Sequence, residues 1–281
     1  MQLLDGKALS EKIKNSLKIE SDTLRENGIV PCLAVILVGD DPASQTYVNS
    51  KEKSAHMCGI ASIVKRLPAH TSEAQLLSFI DALNNDASVD GILVQLPVPQ
   101  HINSAKIIEA IDPKKDVDGF HPFNVGRLMA GLDGFIPCTP LGVMKLLEAY
   151  SINVRGMDAC VIGASNIVGK PMMNLLLNAS ATVEICRSST KNLKEHTLRA
   201  DLIVVGVGKI GLLTEDMVKA GAIVIDVGIN RNSEGKIVGD VDFAHVAPKC
   251  SFITPVPGGV GPMTIAMLLS NTITSAKQRY I

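Results

Sequence analysis

A tyrosine and a lysine four residues apart, Tyr47 and Lys51, lie in a stretch, 44–58, whose pattern fits a helix. Four helical residues rise about 6 Å and turn about 400°, so both side chains share one face. A phenol beside an amine is a proton-transfer pair when the site is desolvated, because burial lowers a lysine pKa toward neutrality and lets the amine act as a base. A surface lysine next to a packed tyrosine has the same spacing. Gln95 closes the apolar run that begins at Gly91 and is followed by Pro97 and Pro99, which stop the strand and of which either can be cis. An amide just past a strand's carboxyl end sits where α/β proteins bind ligands. Burying it unpaired costs about 1–3 kcal/mol. Asp116 and Asp118 flank Val117. In an extended segment they point to opposite sides, so one carboxylate enters a cleft. A turn or capping role suits Asp116.

A second group of residues suits a nucleotide. The apolar run at 159–162 leads into Gly163, Ala164, Ser165, Asn166, Ile167, Val168 and Gly169. Strand, glycine turn and helix place a pyrophosphate on a helix N-terminus. The spacing departs from GxGxxG, since Ser165 takes the second glycine position and the last glycine comes one residue late. A purely structural turn would look similar. The next apolar run ends in Arg187, Ser188 and Ser189, where an NAD enzyme usually carries Asp or Glu for the ribose 2′-hydroxyl. A guanidinium with hydroxyl donors suits a 2′-phosphate. A solvated surface arginine is the plainer reading of Arg187. Gly206 and Gly208 follow a third run and let a ligand approach the backbone.

These residues need a scaffold of alternating strands and helices. Apolar, β-branched runs at 32–38, 62–66, 91–95, 159–162, 182–185, 202–205 and 223–227 read as strands. Amphipathic stretches at 7–26, 44–58, 72–83, 167–178, 215–219 and 263–278 read as helices. Thr139 can cap a further helix over 140–150, with Pro140 in its first turn. The alternation predicts an α/β chain with mainly parallel sheets. Glycines and prolines crowd 118–138, with no clear strand, and mark the boundary between halves. The segment 254–262, rich in proline and glycine, is either a hinge or a ligand loop ahead of the last helix.

Bulk properties narrow the partners. The 281 residues suggest two domains at roughly 150 residues each. Net charge is −1, so nothing marks the chain for nucleic acid or an anionic membrane. Aromatics are 3%, which argues against base-stacking platforms. The six cysteines form no CxxC unit, so no zinc or other metal site is indicated. Unpaired thiols in apolar runs suit a reducing, cytoplasmic setting. The first 30 residues lack a signal-peptide pattern, and no uncharged run reaches about 18 residues.

Taken together, these motifs resemble the bifunctional methylenetetrahydrofolate dehydrogenase/methenyltetrahydrofolate cyclohydrolase family over essentially the whole chain. The resemblance rests on 47–51, 91–97, 115–119, 163–171 and 255–264, in that order. It implies an N-terminal α/β catalytic domain, 1–120 with 262–281, and a C-terminal Rossmann-like doubly wound domain, 121–261, with a cleft between them. It implies that Lys51 is the catalytic acid/base, that Gln95 hydrogen-bonds and tunes it, and that Tyr47 lines a folate pocket. Asp118 would bind the pterin, whose ring amine and amide match a carboxylate. Pro257, Gly258 and Gly259 would contact folate. Gly163, Ala164, Ser165, Ile167, Arg187, Ser188 and Ile229 would hold the cofactor. Many relatives carry arginine where this chain has Ala164; some bacterial relatives with alanine there still use NADP, and Arg187 can supply the charge. The cofactor expectation is therefore NADP, and the implied assembly is a homodimer.

The implied chemistry is oxidation of a methylene bridge between two folate nitrogens, then hydration to the 10-formyl product. A shikimate-type dehydrogenase shares the architecture but leaves the proline–glycine loop and Asp118 unexplained. A non-catalytic nucleotide-binding module need not keep Tyr47, Lys51 and Gln95 together, and a monofunctional relative would keep the fold with one activity. Arg187→Ala is expected to weaken NADP binding by about 1–3 kcal/mol more than NAD binding, the scale of a charge-assisted contact. Equal weakening of both cofactors in titration calorimetry would remove the 2′-phosphate role.

Overall fold

The computed structural model describes residues 1–279. The chain opens with β1 (Gln2–Leu3) and α1 (Gly6–Glu26). There follow β2 (Cys32–Val38), α2 (Pro42–Met57), β3 (Ala61–Leu67), α3 (Glu73–Asn85), β4 (Gly91–Val94), α4 (Ser104–Ala110) and α5 (Pro122–Met129). Next come α6 (Cys138–Ala149), β5 (Asp158–Ile162), α7 (Gly169–Asn178), β6 (Thr182–Cys186), α8 (Leu193–Arg199), β7 (Leu202–Val205) and β8 (Ile223–Asp226). The chain ends with the short pair β9 (Asn230–Arg231) and β10 (Ile237–Val238), then α9 (Phe243–Val246), β11 (Phe252–Ile253) and α10 (Val260–Arg279).

Two compact units result. One joins Glu11–Ile136 with the chain from Ile265 onward; the other joins Met1–Ser10 with Pro137–Thr264. The division differs from the expected one at the first ten residues, at 121–136, which fall in the first unit, and at 262–264, which fall in the second. The first difference comes from β1, which pairs with β11 and so extends the second unit's sheet.

In the first unit, β2 is the middle strand of a parallel sheet ordered β3-β2-β4. All seven β2 residues and all four β4 residues are buried, as expected of strands covered on both faces. Their apolar side chains, Ala34, Ile36, Ile92 and Val94 among them, pack with Leu76 and Ile80 of α3. A capping box starts α3, with Ser72 and Gln75 satisfying each other's backbone amides. Because β2 leads to β3 on one side and β4 lies on the other, the chain reverses direction between β2 and β4.

The second unit carries a parallel six-stranded sheet ordered β1-β11-β8-β7-β5-β6. Its chain runs from β5 outward to β6, then returns to β7, β8 and β11 on the other side. The switch point, where doubly wound sheets bind ligands, therefore lies between β5 and β7.

Two local expectations are corrected. The helix expected at 140–150 starts at Cys138, and Pro137, not Thr139, stands at its N-cap without a side-chain bond. The Thr139 hydroxyl instead lies 3.0 Å from that of Thr264. The stretch expected to be helical at 215–219 closes only a 3-10 turn, Glu215–Met217. The glycine- and proline-rich boundary contains α5, in which Pro122 takes the first turn and His121 Nδ1 accepts the Phe123 N–H.

The end of α10 serves the first unit as a polar strut. Asn271 Nδ2 donates to the carbonyls of Val117 and Ile136, at 2.9 and 3.2 Å. Ser275 Oγ lies 2.7 and 2.9 Å from the carbonyls of Asp90 and Lys114. Asn271→Ala removes donors from buried carbonyls, and its expected cost is about 1–3 kcal/mol. The urea midpoint should fall at constant slope; an unchanged midpoint would show that α10 is not held by this side chain.

Candidate active site

Lys51 is placed by α2. Asp41 caps that helix by accepting the Ser44 N–H at 2.7 Å, and Pro42 occupies its first turn. Ser44, Val48, Lys51, Ser54 and Ala55 form its buried face. Lys51 is only 7% exposed, so its amine needs partners inside the protein. Its Nζ donates to Gln95 Oε1 at 2.9 Å.

Gln95 is held for this contact. It follows β4 directly, and its backbone N–H donates to Ile36 O at 2.8 Å. Its Nε2 donates to the Leu96 carbonyl at 2.8 Å, which turns the amide oxygen toward the lysine. The next peptide bond, Leu96–Pro97, is cis. Tyr47, one turn before Lys51, is half-buried, and burial pushes its phenol above the usual range.

The two aspartates near 117 separate cleanly. Asp116 is 1% exposed and accepts from Phe120 N, His121 N and Asn124 Nδ2 at 3.2, 2.8 and 2.8 Å. It holds the turn after it, as the sequence suggested. Burial pushes its carboxyl up to about 6, against the pull of Asn124 and the two amides. Asp118 is half-buried, a position from which a ligand can be met.

The glycine turn lies at the switch point of the larger sheet. Gly163 follows β5 with φ +119°, and a Cβ there would come within 2.6 Å of Gly206 O after β7. A Cβ on Gly169 would fall 1.9 Å from Gly163 O. Both positions therefore require glycine. Ser165 Oγ accepts the N–H groups of Val168 and Gly169 at 3.1 and 3.4 Å, which explains a serine where a glycine was expected. Ala164 is partly exposed and Ile167 is 38% exposed.

The other expected contacts also sit at the strands' carboxyl ends. Gly163 N donates to Cys186 O at 2.8 Å, so the turn lies beside the end of β6. Arg187 and Ser188, both exposed, follow there in a turn closed by Thr190. Glu184, earlier in β6, is occupied by His196 and Arg199. Ile229 follows β8 and is 46% exposed. Pro257, Gly258 and Gly259 follow β11, with Gly258 at φ +109° and its carbonyl accepting the Lys7 N–H at 2.8 Å. Lys51, Tyr47, Gln95 and Asp118 lie in the first compact unit and the remaining residues in the second.

Several groups escaped the sequence reading. Val207 and Ile210, after β7, are 42% and 51% exposed and add to the apolar surface made by Ile167 and Ile229. Asp226, the last residue of β8, is buried and accepts from Gly228 N, Asp240 N and Val241 N. Desolvation pushes its carboxyl up to about 6. Asp240 is buried as well. The glycine–aspartate pair at 239–240 stands in a turn-rich stretch and gives no signal of burial, whereas Asp226 lies inside the apolar run read as a strand at 223–227.

Comparison with known proteins agrees with this layout. Residues 4–118 match the model of the tetrahydrofolate dehydrogenase/cyclohydrolase catalytic domain, and residues 137–280 match that of its NAD(P)-binding domain. A bifunctional protein FolD from Campylobacter fetus is 63% identical, over 99% of each chain. The crystal structure of the bifunctional FolD, methylenetetrahydrofolate dehydrogenase/cyclohydrolase, from Campylobacter jejuni is 62% identical with a TM-score of 0.98, covering 99% of each chain. A Trypanosoma brucei methylenetetrahydrofolate dehydrogenase-cyclohydrolase, complexed with NADP and an inhibitor, is 37% identical with a TM-score of 0.93, covering 98% of this chain and 96% of its own.

The glycine geometry gives a paired expectation. Gly169→Ala forces its methyl into the Gly163 carbonyl and should destabilise by about 1–3 kcal/mol. Gly126→Ala, in α5 with open space around it, should stabilise by about 0.5–1 kcal/mol. Thermal unfolding of both variants checks the contrast; equal shifts would mean the turn is not sterically closed.

Proposed function

The chain belongs to the tetrahydrofolate dehydrogenase/cyclohydrolase family, and on that footing we propose the roles of its residues in a two-step reaction. The enzyme oxidises 5,10-methylenetetrahydrofolate to 5,10-methenyltetrahydrofolate with NADP, then hydrolyses the product to 10-formyltetrahydrofolate. The observation that carries the assignment of roles is the buried Lys51 amine held 2.9 Å from Gln95 Oε1.

Bound NADP supplies the hydride acceptor. The chain fits that group: the close approach of Gly163 to Gly206 leaves no room for side chains in the cradle, and Ile167, Val207, Ile210 and Ile229 stand exposed around it. Gly163, Ala164, Ser165 and Ile167 would hold the pyrophosphate end. Arg187 and Ser188 would take the 2′-phosphate, by charge and hydroxyl. Ile229 would cover the cofactor's apolar faces.

Folate falls to Asp118, Tyr47 and the loop of Pro257, Gly258 and Gly259. The Asp118 carboxylate accepts from the pterin's amine and amide. Oxidation leaves a cation shared by two folate nitrogens, so that step calls for alignment rather than an acid. Hydrolysis is where Lys51 acts. Water attacks the cationic carbon and must lose a proton, while a ring nitrogen must gain one before the C–N bond opens. Lys51 Nζ carries that proton between them, and as the C–N bond breaks the adduct's hydroxyl releases its remaining proton to solvent, leaving the formyl C=O. Gln95 accepts a hydrogen bond from the amine in either protonation state, whereas a carboxylate in its place would hold the amine charged.

The proposal extends to a cytoplasmic homodimer, with neither nucleic acid nor membrane as partner. All six cysteines are buried, as thiols kept in a reducing compartment commonly are. Strand β3 is an open sheet edge, with Ile63 41% exposed and Phe79 of the neighbouring α3 37% exposed, which supports pairing of two copies. Among the described residues no helix is long and apolar enough to cross a membrane.

Lys51→Met keeps the stem and removes the proton carrier. Cyclohydrolase activity should fall by at least about 10²-fold, the usual scale of lost acid–base catalysis. Methylenetetrahydrofolate oxidation should respond by a different factor, because it loses only positioning. Absorbance assays on purified protein resolve the two, since acid destroys the reduced cofactor and spares the methenyl product. A folded, folate-binding variant that hydrolyses methenyltetrahydrofolate at the parent rate would end the assignment.

A further inference from the structure

Beyond the residues that meet the cofactor, we propose that Asp240 is the positioning residue of the dinucleotide site, fixing the loops after β7 and β8 through one buried carboxylate. The inference rests on the NADP reading above.

Asp240 is 0% exposed, and each of its oxygens serves two donors. Oδ2 accepts from Val207 N at 2.6 Å and Gly208 N at 3.0 Å. Oδ1 accepts from Lys209 N and from Asn230 Nδ2, both at 2.8 Å. Three consecutive amides thus converge on one anion. Such a concave run of N–H groups is an anion site in other settings; here the chain's own side chain fills it. Its fourth donor belongs to the residue after Ile229, so the carboxylate ties together segments that leave neighbouring strands.

What these segments carry makes the tie functional. Gly206 O lies where a Cβ on Gly163 would have to go, so the position of 206–209 sets the width of the glycine cradle. Val207 and Ile229, on either side of the tie, present 42% and 46% of their surface. Loops with exposed apolar side chains at a sheet's carboxyl edge do not hold themselves in place, and the buried carboxylate supplies the constraint.

Asp240 is itself located from below. Its N–H donates to Asp226 Oδ1 at 3.0 Å, and Asp226 N donates to Thr254 Oγ1 at 2.7 Å. Gly228 and Gly239 permit the arrangement, since a Cβ on the first would fall 2.4 Å from Asp240 Cγ and on the second 1.9 Å from Asp226 Oδ2.

The family's second activity provides an internal control. Hydrolysis of methenyltetrahydrofolate consumes no NADP, and Lys51, Tyr47 and Gln95 lie in the other compact unit. Asp240→Asn keeps the volume but turns an NH₂ toward two of the four donors. Titration calorimetry should show NADP binding weakened about tenfold or more, with cyclohydrolase activity in the absence of NADP within about twofold of the parent. Asn230→Ala removes one donor, keeps the carboxylate, and should weaken NADP by about threefold; it decides the matter if Asp240→Asn fails to fold. Unchanged NADP affinity in a folded Asp240→Asn, or in Asn230→Ala where that variant must decide, overturns the inference. So does a loss of cyclohydrolase activity as large as the loss of affinity, which would mark a general structural role. A parent protein that binds no NADP would overturn the cofactor reading instead.

Discussion

A parallel strand buried on both faces admits no polar side chain along its length, so chemistry can begin only where it ends. The candidate positions at the strands' carboxyl ends follow from that constraint, while Tyr47 and Lys51 come from helix α2. Gln95 follows β4, Gly163 follows β5, Arg187 follows β6, Gly206 follows β7 and Thr254 follows β11. Asp226 closes β8 and is the exception that shows the cost: it remains buried, and three backbone amides surround it. In each of the two parallel sheets the order of strands reverses at one place, between β2 and β4 and between β5 and β7, and there Gln95 and Gly163 emerge.

The same constraint explains how much could be read from the sequence. The strands β2, β4, β5 and β7 were legible because their burial leaves continuous apolar runs, and the ends of β4 and β5 therefore pointed to Gln95 and Gly163. Lys51 was legible only as a spacing to Tyr47, since nothing in the sequence shows which face of α2 is buried. Spacing alone could not show its partner, because the Lys51–Gln95 bond joins residues 44 apart; only the family resemblance implied that pairing. Short elements were missed for the opposite reason. Strand β1 has two residues, and it is strand only because β11 lies beside it. Helix α5 reads as loop because Pro122 and Gly126 look like breakers, yet proline suits a first turn and Gly126 meets no crowding.

Departures from motif were informative in the same physical terms. Ser165 takes a glycine's place in the nucleotide turn because its hydroxyl accepts two amides at the start of α7, which glycine could not do. Thr139 looked like a cap and is not one, since the helix begins a residue earlier and its hydroxyl faces Thr264. A local motif states what a side chain can do, and its neighbours in space select which of those things it does.

Aspartates show this selection most clearly. Asp116, Asp226 and Asp240 are all buried, and each gathers two or three backbone amides from the loop that follows a strand or lies beside it. Such loops cannot pair their amides in a ladder, and a carboxylate with four lone-pair directions is the densest acceptor available. Desolvation raises the pKa of Asp116 and Asp226 to about 6, and the hydrogen-bond donors around each carboxylate pull against that rise. Asp118 has the same side chain but is half-buried, so it can address a ligand instead of a loop. Residue type is the same at 116 and 118, and burial divides them, with Asp116 at 1% exposure and Asp118 half-buried. Identification of a binding carboxylate in this fold therefore begins with counting which acids the backbone has already claimed.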